Sequence, residues 1–166
     1  DIAKLMKYNN NIIRPSNFDK ECPGKGSMIL KAKNGVSVGV INLIGRVYMP
    51  LPFDSPFTAA EREIQFLSDK CDIILVDFHA EATSEKRALG FYLDGKVSAV
   101  FGTHTHVQTN DAQILENGTA YITDLGMTGP EDSVIGVVPS LAIRKQRYGV
   151  PVRFSVQKST ASVCGA

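Results

Sequence analysis

The chain has 166 residues, 43% of them hydrophobic and 21% charged, which is enough for one domain with its own core. Eighteen basic side chains against seventeen acidic ones leave a net charge of +1, so no global field marks a nucleic acid or a membrane surface as the partner. Cys22, Cys71 and Cys164 are far apart and form no Cys-x-x-Cys pair, so neither a zinc knuckle nor a disulfide framework is expected, only idle thiols in a reducing cytoplasm. No apolar run reaches about 18 residues, so no transmembrane helix is expected. Residues 1–8 also lack the apolar core of a signal peptide. A cytoplasmic protein without a membrane partner is the expectation.

Residues 1–8 have no initiator methionine and read as the middle or tail of a helix, and residues 159–166 read as a strand cut short. The chain is therefore expected to be a piece of a longer protein. Ile12-Ile13 reads as a short strand, followed by the loop Arg14-Pro15-Ser16-Asn17-Phe18. Residues 27–32 and 36–43 are strand-like and joined across Asn34-Gly35, a strong hairpin signal. Residues 44–57 carry Pro50, Pro52 and Pro56 and read as an irregular surface loop.

Residues 58–70 read as a helix with a capping box formed by Thr58 and Glu61, and with Ile64 and Leu67 on its apolar face. The run 73–78, Ile-Ile-Leu-Val-Asp-Phe, has the look of a strand buried on both faces. A second helix is expected over 83–93, again with a capping pattern, with Ser84 to Arg87 polar and Leu89 and Tyr92 turned inward. Strands follow at 97–101 and, after the Asn117-Gly118 turn, at 119–123. Residues 124–130 are a glycine-rich strand exit, 139–148 a helix and 152–156 a strand. Helices alternating with buried strands make this a single α/β domain with a mixed sheet.

The three histidines fall in a pattern. His79 closes the run 73–79, while His104 and His106 follow the run ending Val100-Phe101-Gly102. Open α/β sheets bind ligands beyond the carboxyl ends of their strands, and neutral imidazole is the commonest metal ligand. In extended backbone His104 and His106 would point to one side, with Thr105 facing away. His79, His104 and His106 are therefore candidate metal ligands. Asp77, which shares a strand side with His79, is either a ligand or an orienter of an imidazole. Glu81 and Asp124 are further carboxylates near strand ends. Arg46, in the proline-rich loop, could hold a phosphate oxygen with its planar guanidinium.

The segments Asp77-Phe78-His79-Ala80-Glu81-Ala82-Thr83-Ser84-Glu85-Lys86, Gly102-Thr103-His104-Thr105-His106-Val107-Gln108-Thr109 and Tyr121-Ile122-Thr123-Asp124-Leu125-Gly126-Met127-Thr128-Gly129-Pro130 resemble those of the YmdB-like metallophosphoesterases, within the calcineurin-like metallophosphatase superfamily. Arg14-Pro15-Ser16-Asn17-Phe18 and Asn42-Leu43-Ile44-Gly45-Arg46 match the same pattern, so the likeness runs in order through nearly the whole chain. It implies a four-layer metallophosphatase sandwich of mixed sheets flanked by helices, present here as an N-terminally truncated single domain over residues 1–166. It implies a dinuclear centre of iron or manganese, with zinc an option, and hydrolysis of 2',3'-cyclic nucleotides or related phosphodiesters, RNA ends among them. His79, His104 and His106 would then be ligands. The family's other ligands and its proton-donor histidine would lie upstream of Asp1. A homo-oligomer is compatible with this reading.

Two rival readings use only the residues present. Three histidines with one open position would complete a mononuclear catalytic zinc site. Alternatively, the piece is non-catalytic and serves as a scaffold or partner-binding half.

Overall fold

The computed structural model describes residues 2–9, 11–51 and 53–166. In chain order the elements are α1 (Ile2–Tyr8), β1 (Ser27–Lys31), β2 (Ser37–Ile44), α2 (Pro56–Leu67), β3 (Ile73–His79), α3 (Thr83–Tyr92), β4 (Ala99–Thr103), β5 (Gln113–Ile114), β6 (Ala120–Ile122), β7 (Thr128–Pro130), α4 (Pro139–Tyr148) and β8 (Ala161–Val163). Six strands form one mixed sheet in the order β1-β2-β3-β4-β6-β5, and β7 pairs with β8 in a separate ribbon. The centre, β2-β3-β4-β6, is parallel, while β1 and β5 run antiparallel at the edges. The expected α/β class and mixed sheet are present.

The parallel strands are built from apolar and β-branched side chains whose alternate residues face opposite sides. Ile41, Leu43, Ile74, Val76, Phe78 and Val100 point to one face and are buried against Ala59, Ala60 and Leu67 of α2 and Leu89 of α3. Fully burying side chains of this size contributes about 1.5–3 kcal/mol each. The other face carries Leu75, Asp77 and His79 of β3 with Asn42, Ile44, Phe101 and Thr103 beside them in register, and these remain half-exposed. A groove of about 580 Å³, lined among others by Leu75, Phe101, Ile114 and Ile122, runs along this face.

Several local expectations change. The capping box of Thr58 and Glu61 does not form, because α2 begins two residues earlier with Pro56 in its first turn and Ser55 as N-cap. Proline's fixed φ and missing N–H suit that position. Glu61 then lies beyond the first turn and accepts a hydrogen bond from the Tyr92 hydroxyl instead. That bond also explains why Tyr92, expected to face the core, is 38% exposed. The capping pattern at α3 is likewise absent: Ala82 is its N-cap, without a side-chain bond. Ile13 makes only an isolated bridge to Lys25, not a strand. Residues 152–156 form no strand either, since only Val156 bridges, to Val137, and Phe154 meets the Lys145 ammonium in place of a sheet neighbour. β5 has no counterpart among the expected strands; at two residues it is too short for a periodic signal. The helix expected over 139–148 is α4.

The loop at residues 14–18 is tied to the sheet through polar contacts. Asn17, 1% exposed, donates to the carbonyls of Ile44 (2.8 Å) and Asp54 (2.9 Å) and accepts from the Ile44 amide (2.9 Å). Glu63 of α2 accepts from the Ser16 hydroxyl (2.5 Å) and the Ser27 hydroxyl (2.6 Å) and pairs with Arg62 at 3.2 Å.

Burial acts to raise the Glu63 pKa, but the hydrogen bonds from Ser16, Ser27 and Arg62 outweigh it and hold the carboxyl below the ordinary glutamate range. A carboxylate whose folded pKa is depressed stabilises the fold above its unfolded pKa, and that contribution is lost as pH falls through the folded value. Glu63→Gln is therefore expected to lower stability at neutral pH and to flatten the acid limb of a denaturation profile below about pH 4.5. Urea melts of both proteins at several pH values check this; parallel acid limbs would contradict it.

Candidate functional site

β3 and β4 are parallel neighbours, and their register sets His79 beside Thr103 at the carboxyl ends of both strands. His104 is the next residue after β4. Its imidazole Nδ1 lies 3.0 Å from His79 Nε2, the rings meeting edge-on at 87° with centroids 4.8 Å apart. On its far side His104 Nε2 lies 3.0 Å from Glu81 Oε2. The structure thus brings His79, His104 and Glu81 into one chain of contacts.

Behind His79 runs a second chain. Its Nδ1 is 3.1 Å from the Thr103 hydroxyl, which donates to Asp77 Oδ1 at 2.9 Å, while Asn42 Nδ2 donates to Asp77 Oδ2 at 2.8 Å. A hydroxyl has one proton to give, and here it goes to the carboxylate. Thr103 must therefore accept the His79 Nδ1–H, which leaves the Nε2 lone pair facing His104 Nδ1. Asp77 orients the imidazole through Thr103, without touching it. Burial, followed by repulsion from His104, lowers the His79 pKa and favours the neutral form. Burial raises the Asp77 pKa in spite of the bonds from Thr103 and Asn42.

The backbone carrying His104 and His106 is not extended. Their φ angles are 109° and 66°, in the left-handed region that residues with a Cβ seldom adopt, so the expected same-side alternation does not apply. His106 is exposed, and no group of three or more His, Cys, Asp or Glu side chains is gathered to hold a metal ion among the described residues. His79 and His104 meet; His106 does not complete a three-ligand set with them.

The residue that fixes this loop is Asp124. It is fully buried, with Oδ2 accepting from the Lys86 ammonium at 2.7 Å and the Thr105 amide at 3.1 Å, and Oδ1 accepting from the Gly126 amide at 2.9 Å. Burial would raise its pKa, but Lys86 and the two amides hold the carboxyl below its ordinary value. Asp124 is therefore enclosed within the protein and not presented as a ligand. Lys86, 1% exposed, sits in the segment Ser84 to Arg87 that reads as polar surface. Nothing in the helical pattern marks it as buried.

Arg46 is exposed beside a cleft of about 730 Å³ lined by residues that include Val47, Leu51, Phe57 and Glu85. The amides of Arg46 (2.9 Å) and Val47 (3.2 Å) donate to the Glu85 carboxylate. Arg46 thus sits on a loop anchored to α3 through Glu85 and to the end of β3 through the Gly45 amide, which donates to the His79 carbonyl at 2.9 Å.

If Thr103 selects the His79 tautomer, Thr103→Val should release it. Long-range ¹⁵N–¹H NMR of the metal-free protein is expected to report protonated Nδ1 in the parent and a mixture, or Nε2–H, in the variant. An unchanged tautomer would show that the hydroxyl has no such role.

The comparisons with known proteins agree with one another. Residues 1–166 match the family model described as YmdB-like protein. The chain is 50% identical over 155 residues to a Bacillus subtilis protein named 2',3'-cyclic-nucleotide 2'-phosphodiesterase, covering 93% of this chain and 58% of that one. Among solved structures it resembles a hypothetical protein from Thermus thermophilus (42% identity, TM-score 0.88, covering 96% of this chain and 62% of that one). It also resembles a Mycoplasma pneumoniae protein described as a novel phosphatase (39% identity, TM-score 0.84, covering 97% and 58%). The chain therefore spans less than two thirds of the length of these relatives. It belongs to the YmdB-like protein family.

Proposed function

We propose that this chain supplies the histidine-bearing part of a metal-dependent phosphodiesterase acting on 2',3'-cyclic nucleotides or related phosphodiesters, RNA ends included. The observation that carries the proposal is the His79–His104 pair, set at adjacent parallel strand ends with the His79 tautomer selected by Thr103 and Asp77. A carboxylate-backed imidazole with a fixed tautomer is a recurrent arrangement at metal sites, so the donor set fits a metal. His79, His104 and His106 would hold one or two ions, with iron or manganese preferred and zinc an alternative. Bound ions supply Lewis acidity and a water of lowered pKa for attack on phosphorus. The remaining ligands and the proton donor would come from sequence outside these residues, which also would supply a second sheet on the half-exposed face to complete a four-layer sandwich. Arg46 would bind a substrate phosphate, approaching from its loop.

The name of the Bacillus subtilis relative supports the substrate class. A self-contained zinc site on three histidines fits less well, because these side chains are not gathered into one ligand group among the described residues. A cytoplasmic location is part of the proposal. Among the described residues no helix is long and apolar enough to cross a membrane.

The test is hydrolysis of 2',3'-cyclic AMP by the full-length gene product loaded with manganese. Turnover is expected in the parent protein. His104→Ala should lose more activity than the roughly 10–100-fold typical of changes to groups that only orient a ligand, together with a drop in bound manganese. Full metal loading without hydrolysis would sink the phosphodiesterase assignment.

A further inference from the structure

The loop bearing His104 and His106 is held in a costly shape. Non-glycine residues at positive φ, as His104 and His106 are, persist only where the surroundings over-determine them. The amide that lies between them, Thr105 N–H, is bound by Asp124 Oδ2, the same oxygen that takes the Lys86 ammonium. The two segments are joined at further points. The Leu125 amide donates to the Gly102 carbonyl (2.9 Å), the Thr109 amide donates to the Asp124 carbonyl (3.1 Å), and the Thr109 hydroxyl accepts from the Asp124 amide (3.0 Å). Lys86 reaches this point from α3 by running under β4, where a Cβ on Gly102 would come 3.0 Å from its Cδ and 1.8 Å from the Thr123 carbonyl oxygen.

We infer that the buried Lys86–Asp124 pair is a positioning device, which fixes the peptide between His104 and His106 and so sets where both imidazoles point. The inference rests on the reading of these histidines as metal ligands. Lys86 holds the Asp124 carboxylate in place. Asp124 holds the Thr105 amide, and the turn at Thr105 throws His104 toward His79. Neither Lys86 nor Asp124 touches a ligand. They are positioning residues, and their loss should be felt in metal affinity as well as in stability.

The experiment measures manganese binding by calorimetry in the full-length gene product. Lys86→Met keeps the length of the stem but removes the ammonium, and Asp124→Asn keeps one side-chain acceptor if the first variant does not fold. Leu67→Ala, a buried change in α2 remote from the loop, is the control for destabilisation alone. Either folded variant is expected to bind manganese about 10–100-fold more weakly. Leu67→Ala should keep the parent affinity despite a comparable loss of melting temperature. In Lys86→Met the metal-free Thr105 amide resonance should also move. Unchanged affinity in a folded variant, or equal weakening in Leu67→Ala, would overturn the inference. His104→Ala separates the two levels. If it loses manganese while Lys86→Met and Asp124→Asn do not, only the positioning role fails; if it retains manganese fully, the ligand reading fails and the positioning role with it.

Discussion

A lysine and an aspartate removed from water together are the constraint on which the site depends. Transferring two such charges into a protein interior costs several kcal/mol per ion, and the attraction between them offsets this only when the remaining donors and acceptors are also satisfied. Asp124 meets that condition: besides Lys86 Nζ at 2.7 Å it accepts the amides of Thr105 and Gly126. Breaking such a pair by removing one partner costs roughly 3–5 kcal/mol, so the arrangement cannot drift gradually. The loop after β4 inherits this stiffness. It can place imidazoles at fixed points although it lies outside regular structure and carries strained backbone.

The sheet provides the second constraint. The relay from Asn42 through Asp77 and Thr103 to His79 crosses β2, β3 and β4, and it works because Asn42 pairs with Asp77 and Thr103 with His79 in the parallel register. A slip of one residue in any of the three strands would turn its contribution to the helix-covered face. That register is secured by burial, since a slip would also expose Ile41, Val76, Phe78 or Val100. Core packing and site geometry are thus one requirement. The apolar residues that make β3 a strand also decide that Asp77 and His79 share a side.

This division explains which parts of the molecule are legible in the sequence. The strand carrying Asp77 and His79, the hairpin at Asn34-Gly35, the helix over 139–148 and the placing of histidines at strand exits all follow from periodicity and turn chemistry acting over a few neighbours. Lys86 does not, because a lysine within a polar stretch is normally solvated, and only the tertiary position of Asp124 makes its burial favourable. The geometry of His104 and His106 is hidden for a similar reason. Alternation presumes extended backbone, and the chain leaves the strand after Thr103, where the Thr105 amide is bound by Asp124, 19 residues further on than Thr105. The Thr58–Glu61 capping box fails for a local reason, since Pro56 opens α2 two residues earlier and leaves Glu61 beyond the first turn, free to accept from Tyr92 of α3.

The first turn of α3 connects these constraints. The helix follows directly on β3, so its opening residues lie close to His79, and consecutive positions serve different loops. Lys86 turns inward to Asp124 and governs the exits of β4 and β6. Glu85 accepts the amides of Arg46 and Val47 and governs the exit of β2. Gly45 permits this second contact, since a Cβ there would lie 2.6 Å from the Glu85 carboxylate and from the Ala80 Cβ. An acidic residue in the first turn is also favoured by the helix dipole, so Glu85 is stabilised where it is needed. Displacing α3 by a fraction of a turn would therefore disturb the Arg46 loop and the histidine loop together. The cleft beside Arg46 and the imidazole pair are thus both tied to the first turn of α3, one through Glu85 and the other through Lys86 and Asp124.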